Sequence, residues 1–512
     1  MGTIIASMIW HAWRRPVQQW LRVHWAMLAL SAFVVWAAVN LHYTGHTWGD
    51  DFTLYLRQAG SLIDGNVGQV IADNHFNVDN AAKPGFSPYV YPWGFPLLLA
   101  PFYRVFGLDY AALKMVEVAC LVAFLWAFRA VLGRRMRPWL AVATTASVAT
   151  TVAYLTYTDK LVSEYPYMAA AAITLWWLDH LRNGRRLHEA TRRQLVVLGL
   201  LAMAVFNVRR EGLAIVAAIA VAQLLDLRGQ WRAADRWKVA TPLVTFAGSV
   251  VALQLMLPST LAPDYDDAGL HQTWRKLHDS FQLAFAHQVG VDDLTGLGLG
   301  LLTVLVVVGV GVRLWRCPGT DAPLVVYAVG SMTIVGMIPA TDFRYLLGVT
   351  PYAIYFAAQA VAAVPLPRAA TARHAAPRFA TAALAAISVM HLTDLPSAIS
   401  AAGDFNDAGR VLEGPESPHA QAAFGAVRTY THQDDVIAFF KVRALTFYTD
   451  RRGVQSSDLE ILRQRSDYFL MRRGTVPGQP LVDADDAATM GWTQVWHSTE
   501  WVLWRLPLYE SG

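Results

Sequence analysis

About eleven apolar segments, each close to the length needed to cross a bilayer, constrain this chain more than any other feature of its sequence. A spanning helix needs about 20 mostly apolar residues, since its backbone polar groups must be satisfied inside the segment. The composition agrees, with 55% hydrophobic and 16% charged residues in a chain of 512. Soluble domains carry about 25% charged residues. The sequence therefore predicts a multi-spanning α-helical membrane protein.

The predicted spans are unequal in length. In chain order they cover residues 23–41, 110–132, 139–157, 162–181, 194–207, 212–227, 240–257, 296–314, 323–340, 345–364 and 379–395. The fifth and sixth are short, and we expect them to form a tight hairpin. About eleven transmembrane helices are therefore predicted.

Basic residues cluster in alternate loops between these spans. The clusters are Arg14, Arg15 and Arg22; Arg134, Arg135 and Arg137; Arg182, Arg185, Arg186, Arg192 and Arg193; Arg228, Arg232, Arg236 and Lys238; Arg313 and Arg316; and Arg368, Arg373 and Arg378. Cytoplasmic loops carry such an excess of Lys and Arg. We therefore expect a cytoplasmic N-terminus. The formal charge of +4 is small for this length, and the distribution of the basic residues among short loops indicates membrane topology rather than a nucleic-acid partner.

Two long regions are then expected on the outer side. The first, residues 42–109, contains DFTLYLRQAGSLI, whose apolar spacing predicts an interfacial helix, and KPGFSPYVYPWGFPLLLAPFYRVFG, which suits a re-entrant or interfacial segment. The second follows residue 395, where DDVIAFF, RALTFYT, DYFLMRR and WVLWRLP favour short strands. We expect a transmembrane domain over 1–395, including the exoplasmic loop 42–109, and a small C-terminal α/β domain over 396–512.

An acidic pair, Asp50 and Asp51, lies just after the first span. One aspartate could serve as a helix N-cap, which stabilises a helix by about 1 kcal/mol. Capping needs only one aspartate, so the second requires another explanation. Its position suits a catalytic base that acts on a lipid-linked substrate. Catalysis and capping both remain open for this pair.

A second acidic site follows in YTDKLVSEYPY, where Asp159 lies in an outer connection and Glu164 lies about one turn inside the next span. A carboxylate at the edge of hydrocarbon is costly unless it is paired or functional. The alternatives are a local pair between Asp159 and Lys160, or a carboxylate that reaches back to water.

Arginines at the outer ends of spans are the third signal. NVRREGL contains Arg209 and Arg210, and ATDFRYLLGVTPY contains Arg344. A guanidinium suits a lipid phosphate, because its planar donors match the phosphate oxygens. Internal pairs, with Glu211 or with Asp342, are the alternative.

Other chemistries find little support. A loop containing Asp264, Asp266, Asp267, His271 and His278 could hold a divalent metal, but the spacing fits no tight motif. We therefore name no metal ligand. The sequence contains no Gly-rich phosphate loop, zincin motif or nucleophile triad, which argues against a nucleotide-dependent enzyme or an ATP-driven pump.

HTWGDDFTLYLRQAGSLIDG and YPWGFPLLLAPFYRVFG resemble the first exoplasmic loop of GT-C glycosyltransferases. The resemblance is to the bacterial family 39-like group, related to protein O-mannosyltransferases and the lipid A aminoarabinose transferase. YTDKLVSEYPY is similar to the second acidic loop of those enzymes, and NVRREG and FRYLLGVTPY to their arginine segments. FFKVRALTFYTDRRG resembles a motif of their small exoplasmic domain.

The resemblance implies a GT-C architecture, a polyprenyl-phosphate-sugar donor and inversion at the anomeric carbon. It also implies an acceptor that is a lipid, a glycan or a protein, at the periplasmic face of a bacterial inner membrane. Asp50 or Asp51 would be the base, with Asp50 preferred, and Asp159 or Glu164 the second acid. Arg209, Arg210 and Arg344 would neutralise the leaving phosphate. The resemblance does not imply that this chain depends on a metal, as some relatives do.

Two other functions remain as alternatives. One is a transporter or flippase of lipid-linked sugars, which would place charges or broken helices near the membrane midplane. The other is an O-antigen ligase or polymerase, which relies on outer-loop arginines and histidine. The gathering of acids and arginines at outer span ends favours the transferase.

Overall fold

A computed structural model describes residues 24–81, 88–229, 235–261, 295–337, 342–364 and 375–507 of the chain. Its helices are α1 (His24–Leu41), α2 (Asp51–Asp64), α3 (Val67–Asp79), α4 (Gly94–Phe106), α5 (Tyr110–Leu132), α6 (Pro138–Ala149), α7 (Val152–Thr156), α8 (Glu164–Leu181), α9 (Arg192–Val208), α10 (Leu213–Leu227), α11 (Arg236–Met256), α12 (Thr295–Arg316), α13 (Pro318–Gly336), α14 (Thr350–Ala362), α15 (Ala375–His391), α16 (Leu395–Asp407), α17 (Pro418–Tyr430), α18 (Val442–Thr449), α19 (Leu459–Arg465) and α20 (Ala484–Thr489). Short 3-10 turns occupy Tyr157–Asp159, Leu187–Glu189, Arg210–Gly212 and Phe343–Leu346.

Every predicted span contains a helix in the structure. Among the described residues, four helical stretches are long and apolar enough to cross a membrane: His24–Leu41, Tyr110–Leu132, Arg236–Met256 and Ala375–Asp407. A fifth is obtained if α6 and the segment Val152–Asp159, which meet at a 60° bend, form one span. The remaining described helices are shorter or less apolar than a membrane-spanning helix requires, so the count of about eleven spans stays a prediction.

The helices pack closely where glycine removes the side chain. A Cβ atom at Gly309 of α12 would collide with the backbone oxygen of Phe356 in α14. A Cβ atom at Gly199 of α9 would lie 2.5 Å from the backbone oxygen of Pro242 in α11. Small residues let helix backbones approach each other in membranes, where packing replaces the hydrophobic drive to associate.

Helix α2 confirms the helix predicted just after the acidic pair. Phe52, Tyr55 and Leu56 of this helix are buried against Phe95 and Leu99 of α4, as its apolar periodicity requires. Asp50 occupies the N-cap position, but in the described chain its side chain makes no capping hydrogen bond. Capping therefore does not account for the Asp50 carboxylate.

The C-terminal residues form a mixed five-stranded sheet in the order β2-β1-β3-β5-β4. Its strands are β1 (Val436–Ala438), β2 (Arg452–Val454), β3 (Tyr468–Arg472), β4 (Thr493–His497) and β5 (Trp501–Arg505). β1 is parallel to β2 and β3, whereas β5 is antiparallel to β3 and β4. We call residues 418–507, which hold this sheet and helices α17–α20, the C-terminal unit.

One strand prediction was wrong, because RALTFYT lies in helix α18. Parallel neighbours such as β1 and β2 cannot be joined by a tight hairpin, so the chain between them has to cross over. α18 is that crossover, and its aromatic and β-branched residues resemble a strand in sequence. The sequence prediction also missed β2 and β4. DDVIAFF, DYFLMRR and WVLWRLP contain β1, β3 and β5.

Candidate functional site

Asp51 is held by two donors that reach it from distant parts of the chain. The hydroxyl of Tyr91 donates to Asp51 Oδ1 at 2.6 Å. Arg344 Nη1 donates to Asp51 Oδ2 at 3.1 Å. Both oxygens of this carboxylate are therefore engaged.

Asp50 is held more loosely. Lys441, which immediately precedes α18, places its ammonium 3.4 Å from Asp50 Oδ2. The other oxygen, Oδ1, is buried and has no hydrogen-bond partner among the described residues. A buried acceptor without a partner is uncommon and costly, so this oxygen is available to a bound molecule.

These surroundings shift the pKa values of the two carboxylates in opposite directions. Burial raises the pKa of Asp50 above its ordinary value, against the opposing effect of Lys441 and Arg443. Burial also acts to raise the pKa of Asp51, but Arg344 and the hydrogen bond from Tyr91 outweigh it and hold that pKa below its ordinary value. Neighbouring carboxylates with separated pKa values suit different chemical roles. Asp50 is thus the better proton acceptor, and Asp51 a fixed anion.

Glu164 joins the same cluster from the first turn of α8. Its Oε1 atom accepts a hydrogen bond from Arg209 Nη1 at 2.8 Å and lies 3.8 Å from Arg344 Nε. Its Oε2 atom is buried without a partner in the part of the chain that the structure describes. Arg344 therefore connects Asp51 to Glu164 across the cluster.

Arg209 and Arg344 line a narrow crevice together with Glu164, Glu211 and Tyr345. Both guanidinium groups also face the ring of Tyr345, at 5.7 Å and 4.9 Å from its centre. Arg209 is further bonded to Glu211, with Nη2 to Oε1 at 2.7 Å. Cations and carboxylates alternate along this crevice, which is an arrangement suited to a phosphorylated ligand that can exchange with the internal anions.

Two predicted residues lie apart from this cluster. Asp159 Oδ1 accepts from Lys114 Nζ at 2.6 Å and from the backbone N–H of Tyr43 at 3.0 Å. Its ion pair is therefore with Lys114 rather than with Lys160, which was one alternative considered from the sequence, and it fixes the chain after α1.

Arg210 is the second predicted residue that lies apart from the cluster. It donates to the backbone oxygen of Thr260 at 3.0 Å and to Ser259 Oγ at 2.7 Å. These contacts, with one to the backbone oxygen of Phe206 at 3.1 Å, direct its guanidinium to the end of α11. Within the described residues its polar contacts do not include Asp51 or Glu164. Its local role is therefore to hold the loop after α11.

Sequence reasoning missed three members of the cluster: Tyr91, Lys441 and Arg443. Arg443 Nη1 donates to the hydroxyl of Tyr91 at 3.1 Å, and its Nη2 donates to the backbone oxygen of Pro88 at 2.8 Å. The motif FFKVRALTFYTDRRG contains both cations, so a signal existed. Its reading as a strand hid the fact that the two face the acidic pair.

No group of three or more metal-ligating side chains occurs among the described residues. The acidic loop with Asp264, Asp266, Asp267, His271 and His278 lies outside those residues. The divalent metal considered for that loop therefore stays a hypothesis from the sequence.

The sequence matches no protein-family model and no curated protein. Solved structures do match it. The chain is similar to ArnT from Cupriavidus metallidurans in the apo state, with a TM-score of 0.56 and 12% identity over 96% of this chain and 98% of that one. The same protein bound to undecaprenyl phosphate matches with a TM-score of 0.54 and 12% identity over 93% and 97%.

An archaeal oligosaccharyltransferase, AglB from Archaeoglobus fulgidus, in complex with an inhibitory peptide and a dolichol-phosphate, matches with a TM-score of 0.52. Its identity is 11%, over 88% of this chain and 70% of that one. At such identities the likeness concerns the fold. ArnT and AglB are GT-C glycosyltransferases. The architecture that the resemblance implied is thus confirmed, and the chain has the GT-C fold.

Proposed function

We propose that this protein is a membrane glycosyltransferase that moves a sugar from a polyprenyl-phosphate-linked donor to an acceptor. The reaction takes place at the periplasmic face of a bacterial inner membrane, and the acceptor is a lipid, a glycan or a protein. The similar structures that hold undecaprenyl phosphate or dolichol-phosphate support the donor class. The single observation that carries the proposal is the unequal acidic pair beside a crevice lined by arginines.

Asp50 is the proposed general base. Its Oδ1 atom takes the proton of the acceptor while the acceptor atom attacks the anomeric carbon from the face opposite the phosphate. The new glycosidic bond forms as the bond between that carbon and the phosphate oxygen breaks, which inverts the configuration. Asp51 suits this role less well, because both of its oxygens are already bonded.

The arginines act on the leaving group. Arg344 and Arg209 lie where a lipid phosphate could take the place of their internal carboxylate partners, and negative charge develops on that phosphate in the transition state. Arg344 Nε lies 3.3 Å from Asp342 Oδ2, yet in the described chain it makes no hydrogen bond. In the proposed complex this N–H donates to a phosphate oxygen. Until the phosphate binds, Glu164 keeps the two guanidinium groups oriented.

The test uses a deletion strain that carries the gene on a plasmid, and it follows lipid-linked sugars as a class. Polyprenyl-phosphate-linked sugars are measured by mass spectrometry in strains expressing the wild type, Asp50→Asn or Asp404→Asn. The donor should accumulate in the deletion strain and with Asp50→Asn, because removal of a general base costs about 10²–10⁴ in rate. Asp404 is an exposed carboxylate on α16, and its variant should behave as the wild type.

Size-exclusion profiles of fluorescently tagged protein establish that each variant is inserted and folded. Normal donor levels with a folded Asp50→Asn variant would remove Asp50 from the reaction. A deletion strain without any change in lipid-linked sugars would overturn the transferase assignment.

A further inference from the structure

The C-terminal unit binds the loop that carries the acidic pair. Trp48, two residues before Asp50, inserts into an aromatic socket. Its ring centre lies 5.1–6.3 Å from those of Phe424, Phe439, Phe440 and Trp501. Its indole N–H donates to Glu413 Oε1 at 3.1 Å, and Arg472 Nη2 lies 3.1 Å from the same oxygen. The position of the loop therefore depends on the C-terminal unit.

Backbone contacts fix the same loop just before Trp48. The N–H of Leu412 donates to the backbone oxygen of Thr44 at 2.9 Å. A Cβ atom at Gly414 would collide with the backbone oxygen of His46, so the two segments touch backbone to backbone. The loop has little freedom to move away from these neighbours.

Helix α3 forms a third attachment, behind the acidic pair. Asn77 donates to Thr446 Oγ1 at 3.1 Å and accepts from the backbone N–H of Gly453 at 3.0 Å. Asp73 pairs with Arg57 at 2.6 Å and with Arg452 at 3.0 Å. Helix α18 and strand β2 are thereby attached to α3, and through Arg57 to α2.

Lys441 immediately precedes helix α18 and is a residue of the C-terminal unit that contacts the acidic pair. Among the described residues, the charged groups that act on Asp50 are Lys441 and Arg443 from the C-terminal unit and the neighbouring Asp51. Asp51 repels negative charge on Asp50, and the guanidinium of Arg443 is already bonded to Tyr91, Asn74 and Pro88. Lys441 forms an ion pair with Asp50, with Nζ 3.4 Å from Oδ2, and its side chain is 31% exposed against 13% for Asp50.

We propose that Lys441 is a positioning residue through which the C-terminal unit keeps the Asp50 carboxylate ionised in a buried site. A buried carboxylate loses hydration and takes up a proton unless a cation compensates. The aromatic socket and the α3 contacts hold the ammonium in place, so this effect depends on the whole C-terminal unit. The catalytic consequence rests on the proposed function, whereas the coupling between Lys441 and Asp50 does not.

The experiment follows the protonation of Asp50 directly, in the purified full-length protein in detergent. Infrared difference spectra are recorded during a pH titration, and the band absent from Asp50→Asn identifies the Asp50 carboxyl group. In Lys441→Met the midpoint of that band should move up by about one pH unit or more, because an adjacent cation lowers a carboxyl pKa by about 1–3. Lys441→Arg should keep the midpoint close to the wild-type value.

Arg463→Ala is the matched control, since Arg463 belongs to the same unit but pairs with Glu460 at 3.7 Å on an exposed face. Its midpoint should equal that of the wild type. If Lys441→Met does not fold, Lys441→Gln provides the same neutral comparison. An unchanged midpoint in the neutral variants, or an equal shift in Lys441→Arg, overturns the proposal. Because the readout needs no substrate, its failure is distinct from failure of the transferase assignment.

Discussion

Residues that are adjacent in sequence have unequal environments at this site. Asp50 and Asp51 are the same amino acid, but Arg344 reaches Asp51 from 293 positions along the chain and Lys441 reaches Asp50 from 391 positions. The sequence could predict an acidic pair near a membrane surface. It could not predict which carboxylate stays loosely held, because that depends on long-range packing. Lys114, the actual partner of Asp159, is equally invisible in a local motif.

Variants of Arg344 and Arg210 distinguish a role in phosphate binding from a role in structural support. Arg344→Ala should weaken binding of polyprenyl phosphate by about tenfold or more, because a charge-assisted hydrogen bond contributes about 1.5–3 kcal/mol. Arg210→Ala should leave that affinity unchanged but lower the melting temperature, since its hydrogen bonds hold the loop after α11. Binding is measured by scintillation proximity with radiolabelled polyprenyl phosphate. Equal affinities for Arg344→Ala and the wild type would exclude Arg344 from the phosphate site.

Helices were easier to predict than strands in this chain. Apolar periodicity identified α2, and long apolar runs identified the helices of the predicted spans. Strands of the C-terminal unit are only three to five residues long. Such short segments give a weak pattern, and the parallel crossover that makes 442–449 a helix is a property of the sheet rather than of those residues.

The aromatic socket around Trp48 gives a prediction for a whole element. Trp48→Ala should lower the free energy of unfolding of the C-terminal unit by about 2–4 kcal/mol, since a large side chain that packs on other rings is lost. It should also increase hydrogen exchange in residues 42–50, because the loop loses its attachment. Exchange is measured by mass spectrometry, with Trp237→Ala, at a side chain that is 77% exposed, as control. Slow exchange in 42–50 of the folded variant would show that the socket does not hold the loop.

Opposite ends of the helical domain differ in chemistry. The proposed site occupies the end where α8 begins. At the other end Arg135 pairs with Asp179, and Arg135 Nε lies 3.1 Å from Asp321. Trp25, Trp139, Trp237 and Trp315 all lie at helix ends on this second side, and each is at least 56% exposed. Tryptophan is enriched at membrane–water interfaces. These side chains therefore support the interface that the basic loops predict on this side.

Orientation of the whole molecule can be tested with introduced cysteines. In a background where Cys120 and Cys317 are replaced by serine, Ser457→Cys samples the C-terminal unit and Arg193→Cys samples the start of α9, both at exposed positions. A membrane-impermeant maleimide added to intact spheroplasts should label the Ser457→Cys variant only, because the C-terminal unit is expected outside and the basic loop inside. Permeabilisation should make both variants reactive. Labelling of the Arg193→Cys variant in intact spheroplasts would reverse the orientation and place Asp50, which the C-terminal unit contacts through Lys441, on the cytoplasmic side.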